Sequence, residues 1–122
     1  MVILDTNAIL RYILRDNLAM VTEVKRQLSS EICFIPVEVV AEVVYVLSKA
    51  YGVKRDAVAK TITDITYLSN VAFAQKRVVL HALSVYASTM LDFVDCLLTG
   101  YAKEEGYTVF TFDKKLSKYL NK

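Results

Sequence analysis

A chain of 122 residues is one domain's length with room for a genuine core, and 55% of it is hydrophobic, above the roughly 45–50% of an average globular domain. No apolar run reaches the roughly 18 residues of a membrane span, and the first one, Val2-Ile3-Leu4, is broken at once by Asp5, so neither a span nor a signal peptide is expected. A net charge of +2 is too mild to mark a nucleic-acid binder by itself, and Cys33 and Cys96 match neither a zinc-ligand spacing nor a secreted disulfide scaffold, which points to the cytoplasm.

Val2-Ile3-Leu4 reads as a strand buried on both faces, and Thr6-Asn7 caps a helix running to about Arg15. A second helix over 18–30 carries Met20, Val21, Val24 and Leu28 at helical spacing. Ile32-Cys33-Phe34-Ile35 is the next strand, stopped by Pro36, which suits the first turn of a helix over 37–51 that Gly52 ends. That helix is apolar almost all round, so it is expected to be fully buried or to present a side to another subunit. An amphipathic helix over 55–68, a short strand over 71–73 and helices over 75–89 and 92–105 follow. Residues 108–112, Thr-Val-Phe-Thr-Phe, read as the last strand, and a short basic helix begins at Asp113. Strands alternating with helices predict a three-layer α/β/α domain over residues 1–122 with a central parallel sheet.

Asp5 and Asp113 each stand directly after an expected strand, and ligands of open parallel sheets bind beyond the carboxyl ends of the strands. Glu42 lies among Val39, Val40, Ala41, Val43 and Val44, where a charge is expensive unless paired or metal-bound. Asp95 lies in a similarly apolar helix with Asp92 one turn before it. Carboxylates gathered in one place repel unless a cation neutralises them, and oxygen-only donors suit Mg²⁺, Mn²⁺ or Ca²⁺. Such a cation can activate water and stabilise the leaving oxygen of a phosphodiester. Each acid also has a purely structural alternative: Asp5 and Asp113 as helix N-caps, Asp92 and Asp95 as first-turn acids, Glu42 in an ion pair.

Four segments, Leu4-Asp5-Thr6-Asn7, Ile35-Pro36 through Ala41-Glu42, Asp92-Phe93-Val94-Asp95 with the two leucines after it, and Thr111-Phe112-Asp113, together span the chain. In order and spacing they resemble the PIN-domain ribonucleases, most closely the VapC-like toxins of toxin–antitoxin pairs. The resemblance implies a PIN-like fold and a metal-dependent endoribonuclease using Mg²⁺ or Mn²⁺, with Asp5, Glu42, Asp95 and Asp113 as the catalytic and metal-holding acids. It implies an accessory role for Asp92 and polar support of the acids by Thr6, Asn7 and Thr111. It further implies RNA products with a 5′-phosphate and a 3′-hydroxyl, a cognate antitoxin that blocks the cleft, and a homodimer.

Arg11 and Arg15, with Lys114 and Lys115 beside Asp113, are candidates to hold the RNA backbone, and ordinary solvated charge is their alternative. His81 sits in apolar company and is expected to be structural, and most of the eight tyrosines are expected to pack rather than stack on bases. A free-standing RNA-processing nuclease or a PIN module that binds without cutting are the nearest alternatives. A phosphoacceptor receiver would want a second acid beside Asp5, where Thr6 stands; a phosphatase with an Asp nucleophile would want one at Asn7.

Overall fold

The computed structural model describes residues 1–121, so Lys122, the last of the basic tail, lies outside the described residues. Three short strands form a parallel sheet in the order β1 (Val2–Ile3), β2 (Cys33–Ile35), β3 (Val71–Phe73). Val2 lies opposite Cys33, and Cys33 in turn lies opposite Val71. Among the described residues seven helices complete the fold: α1 (Thr6–Leu14), α2 (Leu18–Ser30), α3 (Val37–Lys49), α4 (Arg55–Thr66), α5 (Lys76–Ser88), α6 (Phe93–Glu105) and α7 (Lys114–Leu120). The expected α/β class is the observed one.

The helix starts follow from local chemistry. Asp5 caps α1 by accepting from the Ala8 N–H at 2.8 Å, and Asn17 caps α2 by accepting from the Met20 N–H at 3.1 Å. Pro36 opens α3 without a side-chain bond, its fixed φ of −67° needing none. Gly106, at φ +73°, ends α6 in the left-handed conformation that a glycine adopts freely.

The core is built where these elements meet, from Leu4, Ile9, Ile35, Val40, Val43, Leu47, Val58, Val78 and Leu83 among others. Along α3 the buried residues are Val40, Val43, Val44 and Leu47, one helical stripe, while Glu42, Tyr45 and Lys49 face outward. The helix is therefore buried on one side only. Glu42 is solvent-exposed, contrary to the burial expected from its apolar neighbours: at about 100° per residue, sequence neighbours point to different sides. The α5–α6 contact is close because Gly100 meets α5; a Cβ there would stand 2.7 Å from the Val78 carbonyl oxygen.

Two expectations about the sheet fail. The first strand is not buried on both faces: Ile3 is 64% exposed and β1 is a sheet edge. Residues 108–112 form no strand, and Phe110 and Phe112 are 84% and 91% exposed, packed on each other with ring centroids 5.3 Å apart. A run of β-branched and aromatic residues becomes a strand only where a sheet edge receives it. Here local side-chain bonds claim the chain's end instead, with the Asp113 N–H donating to Thr111 Oγ1 at 3.0 Å and the Leu116 N–H donating to Asp113 Oδ1 at 2.9 Å.

Candidate active site

The parallel sheet gives the site its direction. The Leu4 N–H donates to the Phe34 carbonyl at 3.0 Å, so Asp5 leaves the sheet at the carboxyl end of β1. At the same edge β2 passes through Pro36 into α3, which carries Glu42 on its exposed side. Asp92 precedes α6, and Asp95 lies in its first turn, where the helix's positive end favours a negative charge. Asp113 begins α7, a seven-residue helix anchored by the buried Leu116.

Asp5 and Asp113 are N-caps, as the structural alternative held, but each uses only Oδ1 in its cap bond. A cap bond through one oxygen leaves the other oxygen of a carboxylate with its lone pairs for a cation. Asp95 is the half-buried acid of the set; Asp5, Glu42, Asp92 and Asp113 are exposed. Burial pushes the Asp95 carboxyl above the usual aspartate value, and the nearby charges of Asp113 and Asp92 push it the same way. Asp95, Asp92 and Asp113 thus share one electrostatic neighbourhood although they come from two elements. Among the described residues, no three His, Cys, Asp or Glu side chains converge closely enough to hold a metal ion together. The donors fit a hard divalent cation in kind, being all carboxylate oxygens, and Asp95 fits it in electrostatics, as an acid whose like-charged neighbours call for neutralisation.

The remaining candidates are distributed unevenly. Thr6, half-buried, and Asn7, exposed, open α1 beside Asp5, and Thr111 holds the Asp113 backbone. Arg11 is occupied: its Nη1 donates to both carboxylate oxygens of Asp16, at 2.8 and 2.7 Å. Arg15 lies over the Tyr12 ring, 5.1 Å from its centroid, while Lys114 and Lys115 are exposed in the first turn of α7. His81 Nδ1 stands 3.3 Å from Glu104, which also pairs with Arg77, in keeping with a structural part.

Arg55 was not singled out by the sequence, yet it holds the entrance to α6. Its Nε donates to the Tyr86 carbonyl at 2.9 Å, its Nη2 donates to the Leu91 carbonyl, and its guanidinium lies 3.7 Å from the Tyr86 ring centroid. Leu91 immediately precedes Asp92, so this fork fixes the loop that presents Asp92 and Asp95. No motif signals it, because its hydrogen-bonding partners are backbone carbonyls 31 and 36 residues away.

The structure brings Asp92, Asp95 and Asp113 into one electrostatic neighbourhood in an α/β fold, and does not bring Asp5 or Glu42 into a metal-holding cluster with them. The family model of the PIN domain matches residues 2–121, and the chain belongs to the PIN domain family. No curated protein and no solved structure matches it significantly. The PIN fold is a nuclease fold, generally of ribonucleases, and PIN nucleases generally use divalent metals. No helix among the described residues is long and apolar enough to cross a membrane.

Proposed function

We propose that this chain is a single-domain, Mg²⁺- or Mn²⁺-dependent endoribonuclease of the cytoplasm, acting as the toxin of a toxin–antitoxin pair. The observation that carries the nuclease reading is Asp95: a half-buried carboxyl at the start of α6, raised in pKa by burial and by Asp113 and Asp92. Perturbed acids of this kind gather at catalytic sites. Asp5, Glu42, Asp95 and Asp113 would hold the cation, which when bound supplies charge neutralisation at the phosphodiester and a readily ionised water.

The chain's own residues do the rest. Thr111 and the start of α7 hold Asp113 in place, and the Asp5 cap bond orients its free oxygen at the sheet edge. Asp92, one turn before Asp95 and with no cap bond of its own, would serve as the accessory acid that orients the site or a water. Lys114 and Lys115 sit next to Asp113 to neutralise RNA phosphates. The toxin role and the antitoxin partner rest on the four-segment resemblance to VapC-like proteins. The homodimer rests on the same resemblance and on the surplus of apolar residues, of which Met1, Ile3, Leu18 and Met90 are among those left exposed.

Product ends test the chemistry. Hydrolysis by a metal-activated water should leave 5′-phosphate and 3′-hydroxyl ends on a cleaved single-stranded RNA. Ends carrying a 2′,3′-cyclic phosphate would show attack by the ribose hydroxyl and refute the assignment. For the toxin role, the gene should lie beside a small reading frame whose coexpressed product abolishes cleavage, and the lack of such a neighbour or of inhibition would refute it.

A further inference from the structure

Glu42, Tyr45 and Lys49 succeed one another at three- and four-residue steps on α3, so they form one outward stripe. With a rise of about 1.5 Å per residue, Tyr45 stands about 4.5 Å and Lys49 about 10.5 Å beyond Glu42 along the axis. All three are exposed, and the Tyr45 ring, 64% exposed, is an aromatic surface that the core does not use. Tyr45 and Lys49 also line a cavity of about 530 Å³ whose other walls include Asp92, Asp95, Arg55 and Tyr86. Arg55 and Tyr86 form a rigid part of that wall, since the guanidinium is committed to the Tyr86 and Leu91 carbonyls and to the Tyr86 ring.

The cavity volume lies within the roughly 300–1,000 Å³ of sites that enclose a small molecule, which suits one nucleotide and excludes a duplex. Its chemistry is that of a nucleotide too: an aromatic face for a base, an ammonium for a phosphate and carboxylates at the edge where the bond is cut. We infer that this cavity receives one unpaired base of a single-stranded RNA next to the scissile phosphate. Tyr45 stacks on the base, and Lys49 contacts the neighbouring phosphate. The inference rests on the nuclease reading and deepens it: one base beside the cut is held out of its stack by the α3 side of the cavity. Base–aromatic stacking tolerates any sequence, so Tyr45 supplies affinity and register rather than base identity.

The test is fluorescence anisotropy of a labelled single-stranded RNA with full-length protein in Ca²⁺, the RNA's integrity being checked on a gel. Tyr45→Ala should weaken binding about five- to a hundred-fold, and Tyr45→Phe should restore it. Lys49→Ala should weaken binding and flatten the slope of log affinity against log salt by about 0.7. An abasic site placed over Tyr45 should bind the wild type no better than intact RNA binds Tyr45→Ala. Unchanged affinity in both variants, with RNA still hydrolysed in Mg²⁺, overturns the inference and leaves the nuclease reading standing. Binding that depends on Tyr45 and Lys49 without any hydrolysis supports the base-holding cavity and overturns the nuclease reading. If Tyr45→Ala instead turns a dimer into a monomer by light scattering while RNA affinity holds, a second copy of the chain covers this face and the inference fails.

Discussion

Arg55→Met should be the most damaging single change outside the apolar core. It keeps the aliphatic stem and removes two hydrogen bonds from a charged donor, to the Tyr86 and Leu91 carbonyls, and the stacking on Tyr86. Hydrogen bonds to charged groups contribute about 1.5–3 kcal/mol each, and a cation over an aromatic face about 0.5–2 kcal/mol. The three share one guanidinium and do not add fully, and water reaches part of the freed surface, so the expected loss is about 2–4 kcal/mol. Against a total stability of about 5–15 kcal/mol, that is a large fraction. Urea denaturation followed by circular dichroism, in chelator so that no metal contributes, gives the number. Arg55→Lys should fall between Met and wild type, because an ammonium cannot present the planar fork that reaches both carbonyls. A loss below about 0.5 kcal/mol for Arg55→Met, the range of ordinary surface changes, would refute the idea that this fork holds the α5–α6 connection.

Gly100→Ala should cost about 1–3 kcal/mol in the same assay, because the new Cβ would sit 2.7 Å from the Val78 carbonyl oxygen, and wild-type stability would show that α5 and α6 do not meet there. For Asp95, the folded pKa is raised, so its stabilising contribution is fully present below the unfolded value and is lost as pH rises through the folded one. Metal-free wild type should therefore lose melting temperature relative to Asp95→Asn from about pH 4 upward, and a relative gain would contradict the electrostatic crowding. Phe110→Ser and Phe112→Ser should each change stability by less than about 0.5 kcal/mol, since both rings are in solvent; a loss of several-fold more would mean that residues 108–112 are docked as a strand.

The helices were largely legible, four of them because a local signal bounds them: Asp5 and Asn17 as caps, Pro36 before α3, Gly106 after α6. Strands were legible only as far as their partners. Residues 71–73 pair as expected, whereas residues 108–112, rich in β-branched and aromatic residues, do not pair, because composition says nothing of which edge is open. At the site, the sequence reading put Asp5 just beyond β1 and Asp92 and Asp95 at the start of a helix, as observed, but put Asp113 after a strand that does not form. It misjudged Glu42, whose apolar neighbours in sequence are not its neighbours in space. It passed over Arg55, Tyr45 and Lys49, since a fork onto backbone carbonyls and a stripe along a cavity exist only after folding.

RNA hydrolysis by wild type and Asp95→Asn, purified in parallel and tested in EDTA and then in excess Mg²⁺ or Mn²⁺, bears most directly on the claim that these carboxylates cut RNA through a divalent cation. Wild-type cleavage should vanish in EDTA and return with either metal, while Asp95→Asn, folded by circular dichroism, should stay at least about a hundred-fold slower, the scale of a lost electrostatic contact at a reacting centre. Cleavage that survives EDTA at full rate, or an Asp95→Asn protein as active as the wild type, would contradict the account.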